Sequence, residues 1–217
     1  MDRLQQLEVI ALIEVPTPWG SSLAVVVKKS GALRICIDPR PLNTALKRER
    51  CQLALLEDII QELSKARVFS TVDLKSGDWH CVLAPESSVL TTFATPYGRY
   101  RRIRLPFGLS TSSRIFQKHL TQALESLPGV LCIADDILIY GTGETDEEAT
   151  ANHDRSLRDL LQRCKDRGIV LHPDKIKLRK SQVTFMGHLL TNKGRKPDPA
   201  KVEAITKMPK PEDVEGV

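Results

Sequence analysis

Apolar positions along this 217-residue chain follow two periods, and the period changes at glycines, prolines and aspartates. In residues 2 to 13, Leu4, Leu7, Ile10 and Ala11 recur at helical spacing until Pro16 and Pro18 stop the pattern. Alternation then takes over. Val25 to Val27, a break at Ser30-Gly31, and Leu33, Ile35 and Ile37 predict a β-hairpin. "LLEDIIQELSKA" (55 to 66) predicts an amphipathic helix, and "RVFSTVDL" a strand ending at Asp73 before a turn at Lys75-Ser76-Gly77. A second hairpin is predicted over "VLTTFATPYGRYRRIRL", turning at Pro96-Tyr97-Gly98, followed by a helix over 113 to 126. "LCIADDILIYG" reads as strand, turn, strand. In "HDRSLRDLLQRCKDRG", Leu157, Leu160, Leu161 and Cys164 sit on one helical face and Gly168 is placed as its cap. "VTFMGHLLT" predicts a strand or hairpin, and Asp198-Pro199 starts a last helix that runs on into "MPKPEDVEGV". Hairpins mixed with helices, without an internal repeat, predict an α+β fold with an antiparallel sheet.

The most hydrophobic of these stretches, 131 to 141, carries two adjacent aspartates, Asp135 and Asp136, between two apolar runs. An unpaired carboxylate buried there would cost roughly several kcal/mol. Either a turn carries the pair into water or a positive partner neutralises it. A tight Asp-Asp hairpin meets the first condition unaided, because aspartate tolerates turn conformations. Asp73 brings in the second, since it too ends an apolar strand and precedes a turn. A sheet that sets this strand end beside the hairpin tip gathers three carboxylates, which repel one another unless a divalent cation joins them. Mg²⁺ is the hard cation that carboxylate and phosphate oxygens select. Two such ions about 3.5–4 Å apart clamp the attacking and leaving oxygens of an in-line phosphoryl transfer.

Composition changes this picture little. Hydrophobic residues make up 41% and charged residues 27% of the chain, as in ordinary globular proteins. No apolar run approaches the ~20 residues of a membrane span, and "MDRLQQLEVI" lacks a signal-peptide pattern, so a soluble, intracellular protein without a membrane partner is expected. The five cysteines are odd in number and show no C-x-x-C spacing, which predicts reduced and mostly buried thiols. The distribution of the net charge of +5 says more than its size. Arg99, Arg101, Arg102 and Arg104 fall within six residues, and Lys175, Lys177, Arg179 and Lys180 within another six. Acid concentrates in one predicted loop, "GTGETDEEAT". Each basic run reads either as a phosphate-contacting surface or as a solvated face.

Six blocks in order, "RICIDPRPLN", "FSTVDLKSG", "TPYGRYRRIRLPFGL", "FQKHL", "IADDILIYG" and "FMGHLLTNKGRKPDPAKVEAI", resemble the reverse transcriptase of gypsy-class LTR retrotransposons. The resemblance covers essentially the whole chain. It implies the right-hand polymerase fold, with fingers at about 1–50 and 84–111, an antiparallel palm at about 51–83 and 112–196, and a truncated thumb over 197–217. It also implies RNA-directed DNA synthesis: deoxynucleoside triphosphates added to a primer 3′-OH on an RNA or DNA template, with two Mg²⁺ ions for which Mn²⁺ can substitute. Asp73, Asp135 and Asp136 resemble the catalytic and metal-binding aspartates, with Leu74 supplying a backbone carbonyl. Arg34 resembles the fingers arginine that holds the triphosphate, a role suited to a planar guanidinium, or is simply an exposed strand residue. Lys28 or Lys29 matches its companion lysine. Phe107-Gly108 resembles the strip against nucleotide and template, though plain core packing also suits Phe107. Met186-Gly187 resembles the hairpin that grips the primer terminus, and Arg99, Arg101, Arg102 and Arg104 a primer-template surface. The parent polyprotein of such a fragment carries RNase H and integrase domains.

The chain departs from that family's pattern in several places. Asp78 stands where the family has Phe or Tyr against the space of a ribose 2′-OH, so it is expected beside the nucleotide's sugar. Ser113-Arg114 replaces a Pro-Glu pair, Gln52 and Ala54 lie where two prolines are expected, and Ile133-Ala134 precedes the Asp pair in place of an aromatic pattern. These departures keep a second function open, a co-opted or decayed module that binds nucleic acid or a partner without catalysis. An unrelated α+β protein with a turn-forming Asp pair is the third.

Overall fold

The computed structural model describes residues 1–27, 31, 33–47, 63 and 65–208. In chain order these form α1 (Asp2–Gln6), β1 (Ile10–Leu12), β2 (Leu23–Val27), β3 (Leu33–Ile37), α2 (Arg40–Ala45), β4 (Ala66–Asp73), α3 (Pro85–Leu90), β5 (Phe93–Thr95), β6 (Gly98–Arg102) and α4 (Ser112–Leu124). They continue with β7 (Val130–Ile133), β8 (Asp136–Thr142), α5 (Asp146–Arg167), β9 (Lys177–Lys180), β10 (Gln182–Phe185), β11 (His188–Thr191), β12 (Gly194–Pro197) and α6 (Pro199–Thr206). Residues 55–62 and 64 of the expected helix over 55–66, Ser30 of the first hairpin's turn, and Cys51, Gln52 and Ala54 lie outside the described residues, as does any continuation of the last helix beyond 208; Leu63 is helical, and Ala66 already begins β4.

The chain divides into two units. The first comprises Met1–Leu53, Leu74–Glu125 and Lys165–Val170. Its three-stranded sheet has the order β1-β6-β5, and β2-β3 forms a separate hairpin. The expected helix over 2–13 stops early, because Glu8 takes a left-handed φ of 51° and Ile10–Leu12 pairs with β6 instead. Pairing puts Val9 and Ile10 into a core with Ile37, Phe93 and Tyr100, a burial that an isolated short helix could not offer. Alternation along β6 turns Tyr100 and Arg102 inward, to 5% and 1% exposure.

The second unit comprises Ala54–Asp73, Ser126–Cys164 and Leu171–Val217. A four-stranded antiparallel sheet of order β7-β8-β4-β9 is accompanied by a β10-β11-β12 meander. β8 is apolar on both faces, Ile137, Leu138, Ile139 and Tyr140 all being buried, which marks it as a central strand covered on both sides. Phe69, Leu138, Tyr140, Val183, Phe185 and Leu190 share one core with Leu63. α5 lies directly on β8, and glycines make that approach possible. A Cβ at Gly141 would stand 2.1 Å from the Ala149 carbonyl oxygen, and one at Gly143 2.6 Å from the Ala149 nitrogen.

The predicted acidic loop is half helix. Thr145 and Glu148 form a reciprocal capping box, the Glu148 N–H donating to Thr145 Oγ1 at 3.2 Å and the Thr145 N–H to Glu148 Oε2 at 3.4 Å. Asp146, Glu147 and Glu148 therefore occupy the first turn of α5, where the helix dipole favours negative charge. The lysine-rich run 177–180 is a strand, and a left-handed φ of 46° at Arg179 goes with a break in its register against β4.

Candidate active site

β4 and β8 run antiparallel in one register from Phe69↔Tyr140 to Asp73↔Asp136. The two aspartates are cross-strand partners at the open end of the sheet, and partners of this kind point to the same face about 4.5–5.5 Å apart at Cβ. The hairpin turn is Ala134-Asp135, one residue earlier than expected. Asp136 already belongs to β8, paired with Ile133 as well as with Asp73. Ala134 supplies the positive φ, 52°, that a two-residue hairpin turn requires at its first position. Both hairpin aspartates are exposed, so the turn does lift the pair out of the apolar strands.

The backbone thus brings all three aspartates to one sheet end. Their side chains do not form a preassembled cage: among the described residues, no three His, Cys, Asp or Glu side chains stand close enough together to hold a metal ion. A lysine holds the site's positive charge. Lys175 Nζ lies 2.7 Å from Asp73 Oδ2. Although Asp136 is exposed overall, partial desolvation against the sheet raises its carboxyl above the ordinary aspartate value, the Asp73 charge adds to that, and Lys175 and Lys177 oppose it. The oxygen donors suit a hard divalent cation chemically; the geometry is that of a site already counter-charged.

A hydrogen-bonded relay, buried at Ser70 and His153 and reaching the surface at Arg179, holds β4 behind these carboxylates. Ser70 Oγ lies 2.7 Å from His153 Nε2, and His153 Nδ1 lies 3.0 Å from Asp154 Oδ1. Asp154 takes a two-point contact from Arg179, at 2.6 and 3.0 Å, which holds its carboxyl below the usual range together with the His153 bond. The groups match a hydrolase triad, but the chemistry is excluded. Ser70 and His153 are both fully buried, and the Ser70 oxygen already accepts the Arg179 N–H at 2.9 Å. The relay pins α5 and β9 to the middle of β4. Nothing in the periodicity revealed it, because a lone His on a helix face signals nothing by itself.

The other expected residues fall as follows. Met186 and Gly187 form the β10–β11 turn with φ of 49° and 77°, and a Cβ at Gly187 would meet Lys201 Nζ at 2.1 Å. In the first unit, Arg34 lies on β3 opposite Val26, while Lys28 and Lys29 lie outside the described residues. Gly108, at φ 94°, packs on Pro39, and its carbonyl accepts the Asn43 side-chain N–H at 3.1 Å. Phe107 meets Trp79 at 6.3 Å between ring centroids. Leu74 is buried. Asp78 sits in a 3-10 turn over Gly77–His80, not on a strand, close enough to Cys81 to help burial raise that thiol.

The arginine cluster does not present a single cationic face. Arg102 is buried at 1% exposure and donates to the Ile35 carbonyl at 2.9 Å, so its expected phosphate contact is not met. Arg99 reaches the Val15 carbonyl at 2.7 Å, Arg101 the Ser88 hydroxyl at 3.2 Å, and Arg104 the Trp79 carbonyl at 3.4 Å. The described cysteines, Cys36, Cys81, Cys132 and Cys164, are all free thiols.

An antiparallel sheet with paired carboxylates at its open end, flanked by helix α5 and a turn carrying Met-Gly, defines the palm of the right-hand polymerases. The foamy viral protease-reverse transcriptase bound to double-stranded DNA has the same fold, with a TM-score of 0.85 over 99% of this chain and 37% of its own, at 24% identity. The sequence then names the family within that class. Residues 26–190 match the model of the reverse transcriptase (RNA-dependent DNA polymerase) family, and the chain belongs to it. Among its relatives are the retrovirus-related Pol polyproteins of transposon 412 and transposon gypsy from Drosophila melanogaster, 32% and 33% identical, each over 91% of this chain. The enzymatic polyprotein of cauliflower mosaic virus (strain Strasbourg) is 31% identical over 84%. The chain spans 16%, 19% and 26% of these three relatives. Reverse transcriptases are generally metal-dependent. No described helix is long and apolar enough to cross a membrane.

Proposed function

We propose that this chain is the fingers and palm, with the start of a thumb, of an RNA-directed DNA polymerase encoded in a longer retrotransposon polyprotein with RNase H and integrase domains. The single observation that carries the reading is the Asp73↔Asp136 register with Asp135 in the adjoining turn. Asp73, Asp135, Asp136 and the Leu74 carbonyl would hold Mg²⁺, which when bound acidifies the primer 3′-OH and offsets charge on the reacting phosphate. Arg34 with Lys28 or Lys29 binds the triphosphate, Phe107-Gly108 borders the nucleotide, and Asp78 lies at its sugar. Met186-Gly187 positions the primer end. Arg99, Arg101 and Arg104, with Lys177 and Lys180, contact template and primer phosphates, so binding weakens steeply with salt.

The test is primer extension on RNA and DNA templates with Asp135→Asn, which keeps shape and removes charge. Extension should fall by several orders of magnitude, roughly. Undiminished extension would overturn the palm assignment. The Lys175 ion pair on Asp73 favours a second reading, a palm that binds nucleic acid without catalysis. Salt-sensitive binding with no extension by the native chain selects that one.

A further inference from the structure

Lys175 is not a solvent-draped lysine that happens to reach a carboxylate. It closes a 3-10 turn over Pro173–Lys175 that hangs from the catalytic strand itself, the His172 N–H donating to the Asp73 carbonyl at 2.8 Å. Its own N–H returns to the His172 carbonyl at 3.2 Å. β9 follows immediately and pairs Lys177 with Thr71. The backbone therefore delivers the ammonium to the carboxylate from a fixed anchor, and the Nζ–Oδ2 contact of 2.7 Å engages one of the two oxygens through which Asp73 could bind a cation.

We infer that Lys175 is a built-in competitor for the divalent cation: its ammonium and the metal exclude each other at Asp73, so metal binding and release of Lys175 are one event. The inference rests on the metal-site reading proposed above. A compact ammonium and a divalent ion cannot share one carboxylate oxygen at contact distance without strong mutual repulsion. Because the ion pair is half exposed, with 55% of the Lys175 side chain open to solvent, the competition is modest in size. It restrains metal binding without abolishing it.

Two measurements on the full chain test this without using activity. The first is Mn²⁺ binding by electron paramagnetic resonance for the native protein, Lys175→Gln, Lys177→Gln, Asp73→Asn and Asp135→Asn. Lys175→Gln should bind about two- to fivefold tighter than native, and Lys177→Gln should gain less, since it controls for a general loss of positive charge. Equal or weaker binding in Lys175→Gln, an equal gain in Lys177→Gln, or no binding in either native or Lys175→Gln protein overturns the inference. The two aspartate variants report on the underlying site separately. Mn²⁺ binding that survives both of them unchanged sinks the metal-site reading whatever Lys175 does. The second measurement is acetylation of the native chain followed by mass spectrometry, with and without Mg²⁺. Lys175 should become several-fold more reactive when Mg²⁺ is added while Lys193, in the β11–β12 turn, stays constant; a Lys175 rate indifferent to Mg²⁺ contradicts displacement.

Discussion

Replacing Arg102 with methionine should stabilise the chain, although it deletes a charge, a hydrogen bond and a ring contact. The guanidinium is 1% exposed, and burial lowers its pKa from the ordinary arginine value. Its gains are one bond from Nη2 to the Ile35 carbonyl and a position 5.7 Å from the Phe93 ring centroid. These are worth about 1.5–3 kcal/mol for a charged hydrogen bond and about 2 kcal/mol for a desolvated cation–π contact. Against them stand Nε and Nη1, both buried without a partner among the described residues. Two unsatisfied donors cost about 1–3 kcal/mol each, and removing the ion from water costs several more, roughly. The balance favours a flexible apolar side chain of similar length by about 1–3 kcal/mol. Urea unfolding at pH 7, followed by circular dichroism, measures the difference from the midpoint at constant slope. Arg102→Ala is the companion, expected to fall below the methionine variant by about 2–5 kcal/mol because it leaves a cavity. A methionine variant less stable than native by more than about 1 kcal/mol would refute the reasoning and mean that the guanidinium is fully satisfied.

Two further outcomes follow from the palm sheet. Gly141→Ala should destabilise by several kcal/mol, roughly, because the new methyl meets the Ala149 carbonyl at 2.1 Å and His153 Cβ at 2.6 Å, and a helix backbone cannot rotate away; a loss under about 0.5 kcal/mol in the same unfolding assay would show that α5 can slide off β8. Asp136→Asn should be stabilising at neutral pH in a chelating buffer, by under about 1 kcal/mol since the group is exposed. The sign follows from Asp136 having a raised folded-state pKa: its penalty is absent below the ordinary aspartate value of about 3.9 and grows as pH rises through the higher folded value. The advantage of Asn should therefore vanish near pH 3.5 and plateau above the folded value, and an advantage independent of pH would rule out this electrostatic origin.

Local pattern determined most of the elements. Alternation at 23–37 and 93–102, the capping and proline signals at Asp198-Pro199, and the apolar run at 131–141 each specify their own backbone, and the structure forms them. Where local pattern misled, a tertiary partner had overruled it: Ile10–Leu12 became a strand because β6 offered a place to bury Val9 and Ile10. The candidate site divides along the same line. Three aspartates at strand ends are visible in one dimension, because each breaks an apolar run at a turn. Their register is not, since a slip of one residue between β4 and β8 would have turned Asp136 to the opposite face. Nor can spacing show that Lys175, 102 positions from Asp73, is its ion-pair partner, that Arg102 is buried while Arg99, Arg101 and Arg104 stay partly exposed, or that Ser70, His153, Asp154 and Arg179 form one relay. Those depend on which strands become neighbours, and strand neighbours are chosen by burial of the whole chain, not by any stretch of it.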